Sequence, residues 1–175
     1  MALYRFLCAL AGLCCCVGVY ADTVTDSFAV TATVTSGCVL GSSGAVNGVD
    51  FGTINFGSMV DIPNHVDIAS SSGAGSVIVT CTPGTSISLA LDYGLHNGSS
   101  SARYVSNGTT SLAYQLYRDS SHSQVWGTVA DGLAYNIASF PSATQTYTVY
   151  ARLFATATMP ATGTYTDTVT VTLTY

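Results

Sequence analysis

The stretch 163–175, GTYTDTVTVTLTY, carries the clearest structural signal in the sequence. Its apolar positions are Tyr165, Val169, Val171, Leu173 and Tyr175, and every even-numbered position from 164 to 174 is threonine. Successive side chains of a β-strand point to opposite faces, so this alternation predicts a strand with one apolar face and one threonine face. The segment indicates an all-β fold.

The same period-2 alternation recurs upstream, and no stripe of helical period follows the first 21 residues. Strands are predicted at 76–81, 86–91, 112–116 and 147–153. A turn at Pro83-Gly84 is expected to join the first two of these strands as partners. Asn97-Gly98 and Asn107-Gly108 also match the N-glycosylation acceptor pattern, and we favour turns there. Several short strands separated by turns predict one immunoglobulin-like β-sandwich.

The first 21 residues predict export. Arg5 precedes an apolar run over residues 6–19, and Val19-Tyr20-Ala21 suits a cleavage site before Asp22. The run is shorter than the roughly 20 apolar residues that a membrane-spanning helix needs. We therefore expect residues 1–21 to be a signal peptide, with no stable membrane insertion after its removal.

Removal of the signal leaves Cys38 and Cys81 as the cysteines of the mature chain. Two cysteines in an exported protein predict one structural disulfide. In the chain-entropy model, closing a loop of this length contributes roughly 4 kcal/mol to stability. Neither cysteine has a histidine or basic neighbour that would favour a reactive thiol or a metal pair.

The charge inventory excludes several function classes. Residues 22–175 contain three arginines and nine aspartates but no lysine and no glutamate, so we expect no nucleic-acid partner. His65, His96 and His122 lie in loops rich in Asn, Gly and Ser, without metal-site spacing. No G-x-S-x-G motif is present. We predict no catalytic residues, no metal site, no cofactor and no enzymatic activity.

A second alternating stretch, DTVTDSFAVTATVT, occupies residues 22–35. Val24, Phe28, Val30, Ala32 and Val34 share one face, with Asp26 as the exception. A strand from Val24 to Val34 would span about 35 Å, the length of a small sandwich. The pattern leaves two interpretations open: a first strand of the chain's own sheet, or an extension that completes the sheet of a neighbour.

A resemblance favours the second interpretation. The ordered set that carries it is the extension, Gly37-Cys38, Asp50-Phe51-Gly52, Val79-Thr80-Cys81, 112–117, Asp119, Trp126-Gly127, the strand 147–152 and the stretch 163–172. With this set the chain resembles the spore coat protein U domain family, to which subunits of the Csu-type (archaic) chaperone–usher pili belong. The resemblance implies an incomplete immunoglobulin-like sandwich at 36–175 and an N-terminal donor strand at 22–35.

The resemblance also implies a biological setting. A periplasmic chaperone would hold the subunit, an outer-membrane usher would assemble it, and identical or related subunits would follow head to tail at the cell surface. In this setting, the C-terminal strand edges the unfilled groove, and the fibre serves attachment and biofilm formation. Since the mature chain has room for one domain, we expect a shaft subunit rather than a tip adhesin.

Two alternatives stay open at this point. One is a secreted spore-coat or matrix structural protein of the same family. The other is a carbohydrate-binding β-sandwich module that uses Trp126 and tyrosines such as Tyr104, Tyr114, Tyr117 and Tyr135 as a sugar platform. For these aromatic residues we favour packing inside the protein.

Overall fold

The computed structural model describes residues 22–42, 48–141 and 144–175. The predicted signal peptide at 1–21 lies outside the described residues. The chain divides into two units, with the boundary between Val34 and Thr35. Within the described ranges, no helix has the length and apolar character that a membrane crossing requires.

The second unit is built from short antiparallel strands, as the alternation predicted. In the described part of the chain they are β1 (Cys38–Leu40), β2 (Val66–Ala69), β3 (Val77–Cys81), β4 (Ile87–Leu91), β5 (Arg103–Ser106), β6 (Ser111–Tyr117), β7 (Tyr135–Ile137), β8 (Gln145–Tyr147), β9 (Tyr150–Leu153) and β10 (Val171–Thr174). They form three sheets, with strand orders β1-β3-β8, β10-β4-β7 and β2-β9-β6-β5. The all-β class is confirmed.

One core joins these sheets. Its buried side chains come from alternate positions of the central strands, including Val77 and Val79 of β3 and Leu89 and Leu91 of β4. Trp126 lies in the same cluster and is 1% exposed. Buried and half-buried positions thus alternate along β3, as expected for a strand with one face on the core.

The predicted pairing of the strands at 76–81 and 86–91 is wrong. Both strands form, but β3 pairs with β1 and β8, whereas β4 pairs with β10 and β7. The Pro83-Gly84 turn forms, with a hydrogen bond from the Thr85 N–H to the Thr82 carbonyl. The Phe140 carbonyl accepts from the Gly84 N–H, and the Phe140 N–H donates to the Thr85 carbonyl, so both bonds hold the second half of this turn. The chain passes from one sheet to another there.

The predicted strand at 147–153 is divided in two. β8 pairs with β3, and β9 pairs with β2 and β6, so the chain changes sheets between them. Val149 lies at the change and bonds Ser70 through both its N–H and its carbonyl oxygen. Inward alternation continues through this point, which is why the sequence pattern did not show it.

The predicted disulfide between Cys38 and Cys81 is confirmed. The two residues are also opposite each other in the β1–β3 ladder. The bond ties the strand that follows the N-terminal extension to the centre of its sheet.

Candidate assembly site

β10 is an edge strand, and its main chain is available on one side. The Thr170 carbonyl accepts from the Asp92 N–H at 3.1 Å, and the Thr170 N–H donates to Asp92 Oδ1 at 2.9 Å. Because main-chain direction alternates in an antiparallel ladder, Val171 and Leu173 direct their N–H and C=O groups away from β4. Among the described residues, no strand pairs with that side.

The side chains of this strand follow the predicted alternation. Val169, Val171 and Leu173 are half-buried and pack against the core, whereas the threonines between them are exposed. Tyr165 is half-buried and Tyr175 is 63% exposed. The strand itself is shorter than predicted, because β10 comprises only Val171–Thr174. Upstream of it, Thr166 forms an isolated bridge with Ser106.

β1 is an edge strand that lies close to β10. It is the last strand of its own sheet, and some of its Cα atoms lie within 8 Å of Cα atoms of β10. In the part of the chain that the structure describes, these two edges share no backbone hydrogen bond. The hydrogen bonding of the sheets is therefore interrupted between β1 and β10, and we call this interruption the groove.

A buried carboxylate, that of Asp167, precedes the half-buried residues Val169, Val171 and Leu173 in the same alternating pattern. The Asp167 side chain is 2% exposed and accepts from Tyr114 Oη at 2.6 Å and from the Leu95 N–H at 2.8 Å. Burial, together with this hydrogen bond, raises the pKa of Tyr114. Gly94 has a φ of 78°, and a Cβ there would lie 1.9 Å from Asp167 Oδ2, so this approach requires glycine.

A buried arginine lies next to Asp92, and the sequence pattern did not predict its burial. Arg103 is 0% exposed, and its guanidinium donates to the carbonyl oxygens of Leu91, Asp92 and Trp126 at 3.4, 2.8 and 2.7 Å. It also donates to the buried side chain of Gln115. Burial lowers the pKa of Arg103. Asp92, which holds Thr170, is thus itself held by Arg103.

The N-terminal segment differs from β10, because its apolar side chains are exposed rather than half-buried. Residues 22–36 are exposed and none of them belongs to a strand. The exposed fractions of Val24, Phe28, Val30 and Val34 are 91, 88, 83 and 87%, and Ala32 is exposed as well. We call these five exposed side chains, which a strand would place on one face, the apolar row.

The histidines and charged side chains considered as metal ligands or catalytic groups form hydrogen bonds within the protein. His65 Nδ1 accepts from the Ala155 N–H at 2.9 Å, and His96 Nε2 lies 3.1 Å from the Thr166 carbonyl. Arg152 forms two hydrogen bonds of 2.7 Å with Asp67, and these bonds lower the pKa of Asp67. No group of three His, Cys, Asp or Glu side chains able to hold a metal is present within 22–42, 48–141 and 144–175.

The sugar platform considered as an alternative has no exposed tryptophan. Trp126 is buried, and its Nε1–H donates to the Leu89 carbonyl at 2.9 Å. Tyr114 and Tyr117 are also buried, so these rings pack inside the protein as favoured above.

Two solved pilus structures resemble this chain. In a complex of the chaperone CsuC with the tip adhesion subunit CsuE from the archaic chaperone–usher Csu pili of Acinetobacter baumannii, the match covers 82% of this chain and 40% of that chain, with 24% identity and a TM-score of 0.48. The match to the P pilus rod subunit PapA covers 79% of this chain and 98% of that chain, with 16% identity and a TM-score of 0.40. This chain therefore spans less than half of the first of these proteins. No curated protein sequence matches it.

The family match covers both elements of the candidate site. The Spore Coat Protein U domain matches residues 24–172, which include the exposed apolar row, the disulfide and the start of β10. The family resemblance predicted from the sequence is thereby confirmed. With most of its length matched, this chain belongs to the Spore Coat Protein U domain family.

Proposed function

We propose that this protein is a pilus shaft subunit that polymerises head to tail, with residues 22–35 of one copy inserted in the groove beside β10 of the next. One observation carries the proposal: the same chain has an exposed apolar row and an open strand edge with half-buried apolar side chains. The open edge can form hydrogen bonds with a further strand, and the exposed row can pack on the half-buried apolar side chains beside that edge. A contact of this kind joins different surfaces of two copies and so extends into a fibre.

The groove and the extension offer two sources of affinity. The main-chain groups of Val171 and Leu173 bond the inserted strand, as in β-augmentation. The apolar row supplies burial, and each fully buried Val or Phe side chain contributes about 1.5–3 kcal/mol. This burial opposes the free-energy cost of ordering the segment and of association.

The groove must widen when the strand enters. Some Cα atoms of β1 and β10 lie within 8 Å of one another. A strand between them requires about 9–10 Å, twice the spacing of neighbouring strands. Insertion therefore separates the two edges.

An open edge and an exposed apolar row also explain why assembly needs other proteins. Unpaired strand edges promote aggregation. A periplasmic chaperone would cover the β10 edge until an outer-membrane usher brings the next subunit. The resulting fibre would stand at the cell surface and serve attachment and biofilm formation. The three arginines of residues 22–175 form hydrogen bonds within the chain, and these residues include no lysine and no glutamate. Mainly Thr, Ser, Asn and Asp would therefore form the polar surface of the fibre.

Replacement of Val30 by Asp is expected to prevent polymerisation. The change places a carboxylate in the row that enters the groove, and burial of an unpaired charge costs several kcal/mol. The measurement is the ladder of polymers that survives detergent without boiling, in extracts of the cell surface. Phe28→Asp should act in the same way.

Thr31→Asp is the matched control, since it adds the same charge on the opposite face of the same segment. We expect its ladder to resemble that of the unmodified protein. Equal ladders from Val30→Asp and Thr31→Asp would show that the apolar face of this segment does not enter a groove.

A further inference from the structure

We propose that Asp167 sets the register of β10 on β4 and thereby positions the edge that receives the inserted strand. The first half of this inference concerns a single subunit, and the second half rests on the function proposed above. The carboxylate acts through the strand that carries it, without touching the inserted strand.

The repeat of the last strand leaves its register open. Val169, Val171 and Leu173 pack against the core, and the even-numbered positions from 164 to 174 are threonines. A shift of one residue would exchange the two faces, which burial of one face strongly opposes. A shift of two residues keeps apolar side chains inward and threonines outward, so the alternation alone does not oppose it.

The observed register continues beyond the β4–β10 ladder through side chains. Within the ladder, Val171 lies opposite Leu91. Counting four residues further along both segments pairs Asp167 with Leu95, and Asp167 Oδ1 accepts from the Leu95 N–H at 2.8 Å. The backbones separate here, because Thr166 exchanges its hydrogen bonds with β5. The carboxylate therefore spans a gap that the two backbones no longer close.

The surroundings of Asp167 suit a carboxylate. Its side chain is 2% exposed, and Oδ2 accepts from the Tyr114 hydroxyl at 2.6 Å. Gly94 packs so closely against Oδ2 that any side chain there would collide with it. We call the Leu95 N–H, the Tyr114 hydroxyl and Gly94 the carboxylate seat. Its two donors are costly to leave without an acceptor when buried.

Both shifts of two residues misplace Asp167. An advance of the strand puts Asp167 in the place of Val169, against the apolar core, and puts Tyr165 in the carboxylate seat. A shift in the other direction puts Val169 in the seat and leaves the Leu95 N–H and the Tyr114 hydroxyl without an acceptor. Asp167 therefore distinguishes the observed register from its neighbours.

The register of β10 decides which side chains meet the inserted strand. In strand addition, main-chain hydrogen bonds supply affinity, and pockets for alternate side chains supply specificity. An advance of two residues would put Val171 in the place of Leu173 and so change the wall of the groove. Asp167 is thus a positioning residue for assembly.

Engineered disulfides within one subunit measure the register. Thr174 lies opposite Ser88 in a hydrogen-bonded pair, with Cα atoms about 5.5 Å apart, a distance that suits a disulfide. Thr172 is a diagonal neighbour of Ser88 at about 7–8 Å and lies opposite it only after an advance of two residues. Ser88→Cys with Thr174→Cys therefore reports the observed register, and Ser88→Cys with Thr172→Cys reports the advanced one.

With Asp167 in place, we expect the observed-register pair to cross-link about tenfold more than the advanced pair, a ratio that corresponds to 1.4 kcal/mol. Asp167→Ala should bring the two yields together, because alanine tolerates the place of Val169. Asp167→Asn should restore the difference, since its amide oxygen can still accept from the Leu95 N–H. Asp119→Ala is the control: it removes a carboxylate that accepts from the Gln124 N–H in the turn after β6, and should change neither yield.

Tyr114→Phe tests the carboxylate seat without changing β10. It removes the hydroxyl that donates to Asp167 and keeps the buried ring. We expect a smaller fall of the same cross-linking ratio, with folding followed by the fluorescence of Trp126. This variant tests the proposal even where Asp167→Ala is not recovered as a folded protein.

Subunits that can only receive a strand test the effect on assembly. Val30→Asp blocks insertion of its own extension, so mixing it with unmodified subunits should shorten the polymer ladder. Adding Asp167→Ala to the Val30→Asp subunit should remove most of this shortening, whereas adding Asp119→Ala should leave it in place.

The outcomes separate this proposal from the proposed function. An unchanged preference for the observed register in Asp167→Ala and in Tyr114→Phe would overturn the role of Asp167 while polymerisation stands. A changed register with unchanged shortening of the ladder would overturn its link to assembly. Absence of a ladder from every form, the unmodified protein included, would overturn the proposed function, and the cross-links within single subunits would still decide the register.

Discussion

Deletion of residues 22–35 is expected to abolish the polymer ladder and leave a single subunit band. The deletion removes the entire exposed apolar row, whose members Val24, Phe28, Val30 and Val34 are more than 80% exposed. It removes no strand of the chain's own sheets, since β1 begins at Cys38. Intact protein should give a detergent-resistant ladder that collapses to one band on boiling.

The deleted protein also provides its own control. Its groove is unchanged, so it should still accept the extension of an intact subunit and end a growing fibre. Mixing the two forms should therefore shorten the ladder. An unchanged ladder after the deletion, or no ladder from either form, would contradict donor-strand assembly.

Replacement of Arg103 by Met is expected to lower the free energy of unfolding by about 3–5 kcal/mol. The change leaves the Gln115 side chain and the carbonyl groups of Leu91, Asp92 and Trp126 without their buried donor, and each such loss costs about 1–3 kcal/mol. Domains of this size are commonly stable by about 5–15 kcal/mol in total. Guanidinium unfolding followed by the fluorescence of Trp126, the single tryptophan of the sequence, measures the loss.

Arg152→Met is the matched comparison, because Arg152 pairs with Asp67 in a solvent-exposed position. Exposed pairs of this kind contribute less than about 1 kcal/mol. Similar unfolding midpoints for the two variants would show that the Arg103 cluster does not stabilise the fold in the way described. A larger loss for Arg103→Met would support its role beneath the β10 edge.

The sequence predicted the strands better than it predicted their partners. Alternation at 163–175 identified which side chains of the last strand face inward, since that depends on strand geometry alone. It could not show that Thr166 pairs with Ser106 while β10 pairs with β4, because inward alternation continues across the change of sheet. The same limit explains the division of the strand at 147–153.

The wrong pairing of the strands at 76–81 and 86–91 has a related cause. Pro83 and Gly84 establish that the chain turns, but they carry no information about the sheet that it enters. The backbone bonds between Phe140 and this turn come from a distant part of the sequence. Turn chemistry therefore predicted the turn and missed the topology.

The candidate site was predictable in part. The extension and the last strand were both visible as alternating segments, and the role of each came from the family resemblance. Arg103 was not predicted, because a single arginine in a polar stretch gives no sign of burial. Its burial depends on the carbonyl groups that β4 and Trp126 bring together.

Amide hydrogen exchange of residues 22–35 in polymer and monomer tests the central claim most directly. In the monomer, the Ser27 amide bonds the neighbouring Asp26 side chain, and the segment is exposed. We predict fast exchange throughout the segment in the monomer and strong protection of residues 28–34 in the polymer, together with new protection at Val171 and Leu173. Polymers in which residues 28–34 exchange as fast as in the monomer would contradict the account.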